Sequence, residues 1–137
     1  MLKLVCASCG SDLTTPVKVA PFTQYGPYCQ DTESPVPEGF IVQWETEDSV
    51  PVYYPDGNTI RRHISPAGAI SAHPKDVIRD QIHSFGNDYG CCGSDGNDGN
   101  NRACSCGTIV GTEWSDCWTQ AEVRFLPESA SIIQISD

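Results

Sequence analysis

The sequence predicts a mainly β protein of the small α+β kind, an antiparallel sheet or small barrel crossed by one amphipathic helix. Three observations predict it. Apolar residues alternate with polar ones over several short stretches, which is the two-residue period of a half-buried strand. Gly, Pro, Asn and Asp punctuate those stretches at the spacing of turns. Eight cysteines fall among 137 residues, and four of them form two short, glycine-ended pairs toward opposite ends of the chain.

Taken in order, Leu2 and Leu4 flank Lys3, and Val17 and Val19 flank Lys18. Two short strands therefore stand either side of a turn at residues 6–10. Residues 21–39 carry Pro21, Pro27, Pro35 and Pro37 with little periodicity. A loop of that length is uncommon unless something ties it down, and Cys29 sits in its middle. Phe40, Val42 and Trp44 then alternate with Ile41, Gln43 and Glu45 as a half-buried strand. Val50, Val52 and Tyr54 repeat the pattern before Pro55-Asp56-Gly57-Asn58, a turn from which residues 59–64 return as a hairpin.

The helix is expected over residues 74–86. Pro74 suits a first helical turn, Asp76 its positive end, and Gly86 a close. Ile78, Ile82 and Phe85, with Val77 beside them, make one apolar face. A Gly/Asn/Asp loop follows over residues 86–101. Strands at 108–110, at 121–126 with Val123 and Phe125 inward, and at 131–135 complete a single domain over residues 1–137.

Eighteen acidic residues against eight basic ones give a net charge of −10. Such a surface repels phosphate backbones and anionic membranes, and Arg61-Arg62 is the one adjacent basic pair. Neither nucleic acid nor a membrane is therefore expected as a partner. A basic protein partner suits the charge better. Only Leu4 and Val5 separate Lys3 from Cys6, too little for the apolar core of an export signal. The expectation is a cytoplasmic protein, in whose reducing surroundings cysteines serve as metal ligands or thiols rather than disulfides.

Cys6-Ala-Ser-Cys9-Gly10 is a knuckle: the turn aims both sulfurs at one point, and glycine accepts the backbone conformation that a Cβ would oppose. Cys104-Ser-Cys106-Gly107 offers the second pair that zinc requires. The two motifs resemble the zinc-ribbon group, in which two knuckles on separate hairpins clamp one ion. The resemblance covers these motifs alone. It departs from the ribbon pattern in the single spacer of the second pair and in the long stretch between the pairs. It implies zinc held by Cys6, Cys9, Cys104 and Cys106, a closed structural site joining the N-terminal hairpin to the C-terminal strands.

Cys91 and Cys92, followed by Gly93, can build a second metal site with Cys117, with Cys29 or His83 as the fourth ligand. Neighbouring side chains diverge, so either adjacent cysteine can ligate while the other packs. Residues 94–101 fail as a calcium loop, because after Asp95 and Asn97 the glycine arrives one place early and no Glu follows at the required distance. His63, His73 and His83 share no helical face, and no zinc-protease, serine-hydrolase or phosphate-loop motif occurs.

Trp114 and Trp118, set among Glu113 and Asp116, have the make-up of aromatic anchors ringed by charge at a protein interface. Tryptophans packed beside a zinc site are the competing reading. The function expected is that of a non-enzymatic, zinc-binding interaction module using an acidic surface. The alternative is a small zinc-dependent, hydrolase-like enzyme with an open Cys/His metal site.

Overall fold

The computed structural model describes residues 1–27, 33–86, 90–96 and 99–135. Its first six strands are β1 (Leu2–Cys6), β2 (Lys18–Ala20), β3 (Phe40–Gln43), β4 (Asp48–Tyr53), β5 (Thr59–Ser65) and β6 (Ile70–Ala72). Five more follow: β7 (Ile82–Ser84), β8 (Arg102–Cys104), β9 (Ile109–Trp114), β10 (Glu122–Phe125) and β11 (Ala130–Gln134). They form a seven-stranded sheet in the order β2-β3-β6-β10-β9-β8-β7 and two two-stranded sheets, β1-β11 and β4-β5. In the large sheet β2 and β3 run parallel and the remaining neighbours antiparallel. Its outer strands β2 and β7 do not pair with each other, so the sheet stays open rather than closing as a barrel.

The small sheet brings the two ends of the chain side by side, with Leu2 opposite Gln134 and Cys6 opposite Ala130. The backbones of Leu2 and Val17 exchange hydrogen bonds of 2.9 and 2.8 Å, which closes the N-terminal hairpin that the alternation predicts. Leu2 and Leu4 then pack into one core with Ile41, Ile70, Val110, Val123 and Phe125 from the large sheet. Ala20, Val36 and Val42 form a second cluster, with Tyr25 and Phe40 against it. Ile41 and Val42 are neighbours in β3 and both are buried. That strand is thus covered on both faces, where alternation alone predicts one.

The hairpin around residues 55–58 forms as its turn residues dictate. Tyr53 pairs with Thr59, and Asp56 accepts from the backbone N–H of Asn58 at 2.9 Å.

The amphipathic helix does not form. Residues 74–76 make a single 3-10 turn, Val77 is extended (φ −85°, ψ 136°), and Ile82 begins β7. Tertiary bonds outbid the helical ladder. The Ile78 N–H donates to the Leu13 carbonyl at 2.9 Å, and Thr15 N–H to the Asp76 carbonyl at 2.9 Å. The buried Asp76 carboxylate accepts from Gly39 N–H at 2.7 Å. Once these groups are committed to a neighbouring segment, the β-branched Val77, Ile78 and Ile82 keep the extended form they favour. Ile82 is buried whereas Phe85 is exposed, so the residues expected on one helical face do not share a face. Among the described residues, no helix is long and apolar enough to cross a membrane.

Phe125 is fully enclosed in the shared core. Phe125→Ala is expected to destabilise the protein by about 3–5 kcal/mol in urea unfolding.

Candidate metal centre

β1 ends at Cys6, and the chain turns at once. The Gly10 N–H donates to the Cys6 carbonyl at 2.8 Å, with Gly10 at φ 78°, a conformation that a side chain resists. Across the molecule β8 ends at Cys104 and turns into β9. There the Gly107 N–H donates to the Cys104 carbonyl at 2.8 Å, with Gly107 at φ 96°. Each knuckle is anchored from outside its own loop. Ala7 N–H reaches the Ser129 carbonyl and Ser105 N–H the Gln81 carbonyl, both at 2.9 Å.

These turns bring the sulfurs of Cys6, Cys9, Cys104 and Cys106 within 4.8 Å of one another, so the four cysteines can hold a metal ion. The Cys6 and Cys106 sulfurs lie 3.7 Å apart, and those of Cys9 and Cys104 lie 3.6 Å apart. A disulfide would need about 2.0 Å. A tetrahedral ion with metal–sulfur bonds of about 2.3 Å sets its ligands about 3.8 Å apart. The observed spacing is close to that tetrahedral edge. Cys6 and Cys104 are buried at the end of the core, while Cys9 and Cys106 face solvent.

Polar neighbours tune the sulfurs. Gln81 Nε2 donates to Cys104 Sγ at 3.2 Å, and Thr108 Oγ1 lies 3.2 Å from Cys106 Sγ. Burial pushes the Cys104 thiol up to about 11. Hydrogen bonds from Thr108 bring Cys106 down to about 6, and the Ser11 hydroxyl lowers Cys9. At neutral pH Cys106 is thus ready as a thiolate, whereas Cys104 must release its proton to solvent before its sulfur can bind a cation. Gln81 and Thr108 are missing from the sequence-based site, although Thr108 follows the Cys104–Gly107 motif closely enough for proximity to point to it. Gln81 has no such signal, because its place depends on the pairing of β7 with β8.

Cys91, Cys92 and Cys117 form a second group with sulfurs within 4.8 Å of one another. The Cys92 and Cys117 sulfurs lie 2.9 Å apart. The Asp116 carboxylate accepts from Cys92 N–H at 2.7 Å, and that bond holds it below the usual carboxylate range. The Cys92 sulfur and burial push Cys117 up to about 12, and Cys92 likewise raises Cys91. Both adjacent cysteines face the same point, although neighbouring side chains were expected to diverge. His83 lies elsewhere, with Nε2 2.9 Å from Ser105 Oγ beside the first centre. Cys29 falls outside the described residues.

The residues expected at a partner interface divide. Glu113 is buried and bound by Arg79 at 2.7 Å and Arg102 at 2.9 Å. Trp114 is buried, with the Arg124 guanidinium 4.9 Å from its ring centre. Asp116 is buried against the Cys92 loop. Trp118, in contrast, is 67% exposed.

Comparison of the chain with protein-family models, curated proteins and solved structures finds no match.

Two outcomes are expected of the first centre. Replacing Gln81 with Ala or Thr108 with Val lowers metal affinity by about 10–100-fold, as loss of an outer partner does in other centres, read by competition with a chromophoric chelator. Metal binding near neutral pH releases protons, seen as a dependence of the calorimetric heat on buffer ionisation enthalpy.

Proposed function

We propose that the chain is a zinc-stabilised β module that acts by binding another protein rather than by catalysis. The observation that supports this reading most is the closure of the first centre. Four cysteine sulfurs stand near the edge length of one tetrahedron, two of them in the core. An ion held by all four would have no position left for water or substrate, which is the signature of a structural site. Zinc is the ion of choice, since a four-thiolate tetrahedron suits its soft, geometry-indifferent shell. Its binding would supply on the order of 10 kcal/mol toward folding.

The net charge of −10 favours a basic partner and a salt-sensitive encounter. Trp118 is the exposed aromatic anchor of the segment expected to meet it. Thiolate chemistry at both cysteine groups suits a reducing compartment such as the cytoplasm.

A second reading, a small zinc-dependent hydrolase-like enzyme, draws on one observation. The Cys91, Cys92 and Cys117 group offers three sulfurs, which would leave a bound metal one position for water.

The deciding experiment substitutes cobalt into Cys117→Ser protein prepared under reducing conditions. A tetrahedral four-sulfur spectrum is expected, and a spectrum with an oxygen ligand at this centre would overturn the structural reading. Partner capture should weaken as salt is raised. Trp118→Ala should reduce it about thirtyfold, the loss of about 2 kcal/mol typical of an aromatic anchor.

A further inference from the structure

The loop carrying Cys91 and Cys92 is wound tightly onto the segment that follows β9. Cys92 N–H donates to the Asp116 carboxylate at 2.7 Å, and Ser94 N–H donates to Ser115 Oγ at 3.0 Å. In return Ser115 and Asp116 N–H donate to the Ser94 carbonyl at 2.8 and 3.1 Å. Gly90 and Gly93, which flank the two cysteines, leave no room for a side chain. A Cβ on Gly90 would lie 2.8 Å from Asp116 Cγ, and one on Gly93 would lie 2.7 Å from the Ser115 carbonyl oxygen. The sulfurs are therefore gathered by a preformed backbone clamp, not by chance proximity of mobile side chains.

We propose that Cys91, Cys92 and Cys117 bind a second thiophilic d10 cation, Zn²⁺ or its congener Cd²⁺, as three thiolates with one coordination position open to solvent. Three features favour a cation over a disulfide. All three sulfurs converge, whereas a disulfide would use two and strand the third. The buried Asp116 carboxylate lies 3.7 Å from Cys117 Sγ, so the site already holds negative charge that a cation offsets. Cys91 and Cys92 are exposed. Rotation of these side chains can open the 2.9 Å Cys92–Cys117 separation by about 0.9 Å to the spacing a metal ion sets. On binding, each thiol gives its proton to solvent and its sulfur lone pair to the ion, with no change of oxidation state. Because its ligands face water, this ion exchanges faster than the one at the core.

The test titrates the full chain with ¹¹³Cd²⁺ in the presence of a non-thiol reductant. Two cadmium ions per chain are expected, giving one resonance in the four-sulfur range and one at the lower frequency of a site with three sulfurs and oxygen. Cys92→Ser and Cys117→Ser should each abolish the second resonance and keep the first. Neither substitution touches the first centre, whose resonance reports the folded chain, so failure of this site and failure of the first are told apart. Cys29→Ser should leave the second resonance where it is, and its shift or loss would overturn the open position by making Cys29 the fourth ligand. Stoichiometry of one ion, unchanged by Cys117→Ser, would overturn the site altogether. So would a Cys92–Cys117 disulfide that persists under reductant, read on the unmodified chain as an intact mass two hydrogens lighter.

Discussion

Four sulfurs brought to one point are the constraint on which the rest of this fold depends. Cys6 closes the first strand and Cys104 closes β8, and both are as buried as the aliphatic residues around them. Cys6 also sits opposite Ala130 in β11. The point where the sulfurs meet is therefore where the first and last strands and the large sheet meet. As thiolates without a cation the four would repel one another, and two of them, Cys6 and Cys104, are shut away from solvent. A metal ion bound there would turn that repulsion into a bond network. The hydrophobic core and the metal centre are in this sense one structure, since Cys6 and Cys104 belong to the same apolar cluster as Leu4 and Phe125.

A second buried knot lies on the other face of the large sheet. Arg124 is almost wholly enclosed, with its guanidinium 4.2 Å from the Trp44 ring centre and 4.9 Å from that of Trp114. It donates to Asp48 at 2.7 Å and to Glu122 at 2.9 Å. Burial alone would lower its pKa, but the Glu122 charge together with the hydrogen bonds to Asp48 and Glu122 outweighs that and raises it. Burial and the same carboxylate raise the Tyr25 hydroxyl, which stays neutral and donates to Glu122. Removing one member of such a network strands a buried charge, whereas an intact network adds little net stability over an apolar core. Its contribution is to register: Asp48 comes from the β4–β5 hairpin, Tyr25 from the loop after β2, and Arg124 from β10. The knot holds the hairpin and that loop against the sheet in one arrangement.

The two cysteine groups differ in the way their settings do. The first straddles the end of the core, takes two ligands from each of two distant knuckles, and has buried members. The second hangs on one loop and the segment after β9, and its members are exposed or partly so. A closed, core-anchored set suits an ion that stays for the life of the fold, and an exposed set suits one that comes and goes.

Much of this was legible in the chain itself. The knuckle pairs, the Pro55–Asn58 turn and the alternation in the first strand rest on local chemistry. Gly10 and Gly107 tighten a turn whatever surrounds them, and the period of two marks a strand before any partner is known. The first cysteine cluster could be assembled from its motifs because each knuckle is local and only their meeting is not. The segment after His73 was misread, since Pro74, Asp76 and the spacing of Ile78, Ile82 and Phe85 satisfy a helix in isolation. Its backbone groups instead bond Leu13, Thr15 and Gly39, partners about 35 to 65 positions away that no local pattern announces. Trp114 and Glu113 looked like surface anchors until Arg124, Arg79 and Arg102 enclosed them. Local sequence determines which turns and strands are available. Only the tertiary structure decides which polar groups find partners, because burial and pairing depend on residues the chain brings back from far away.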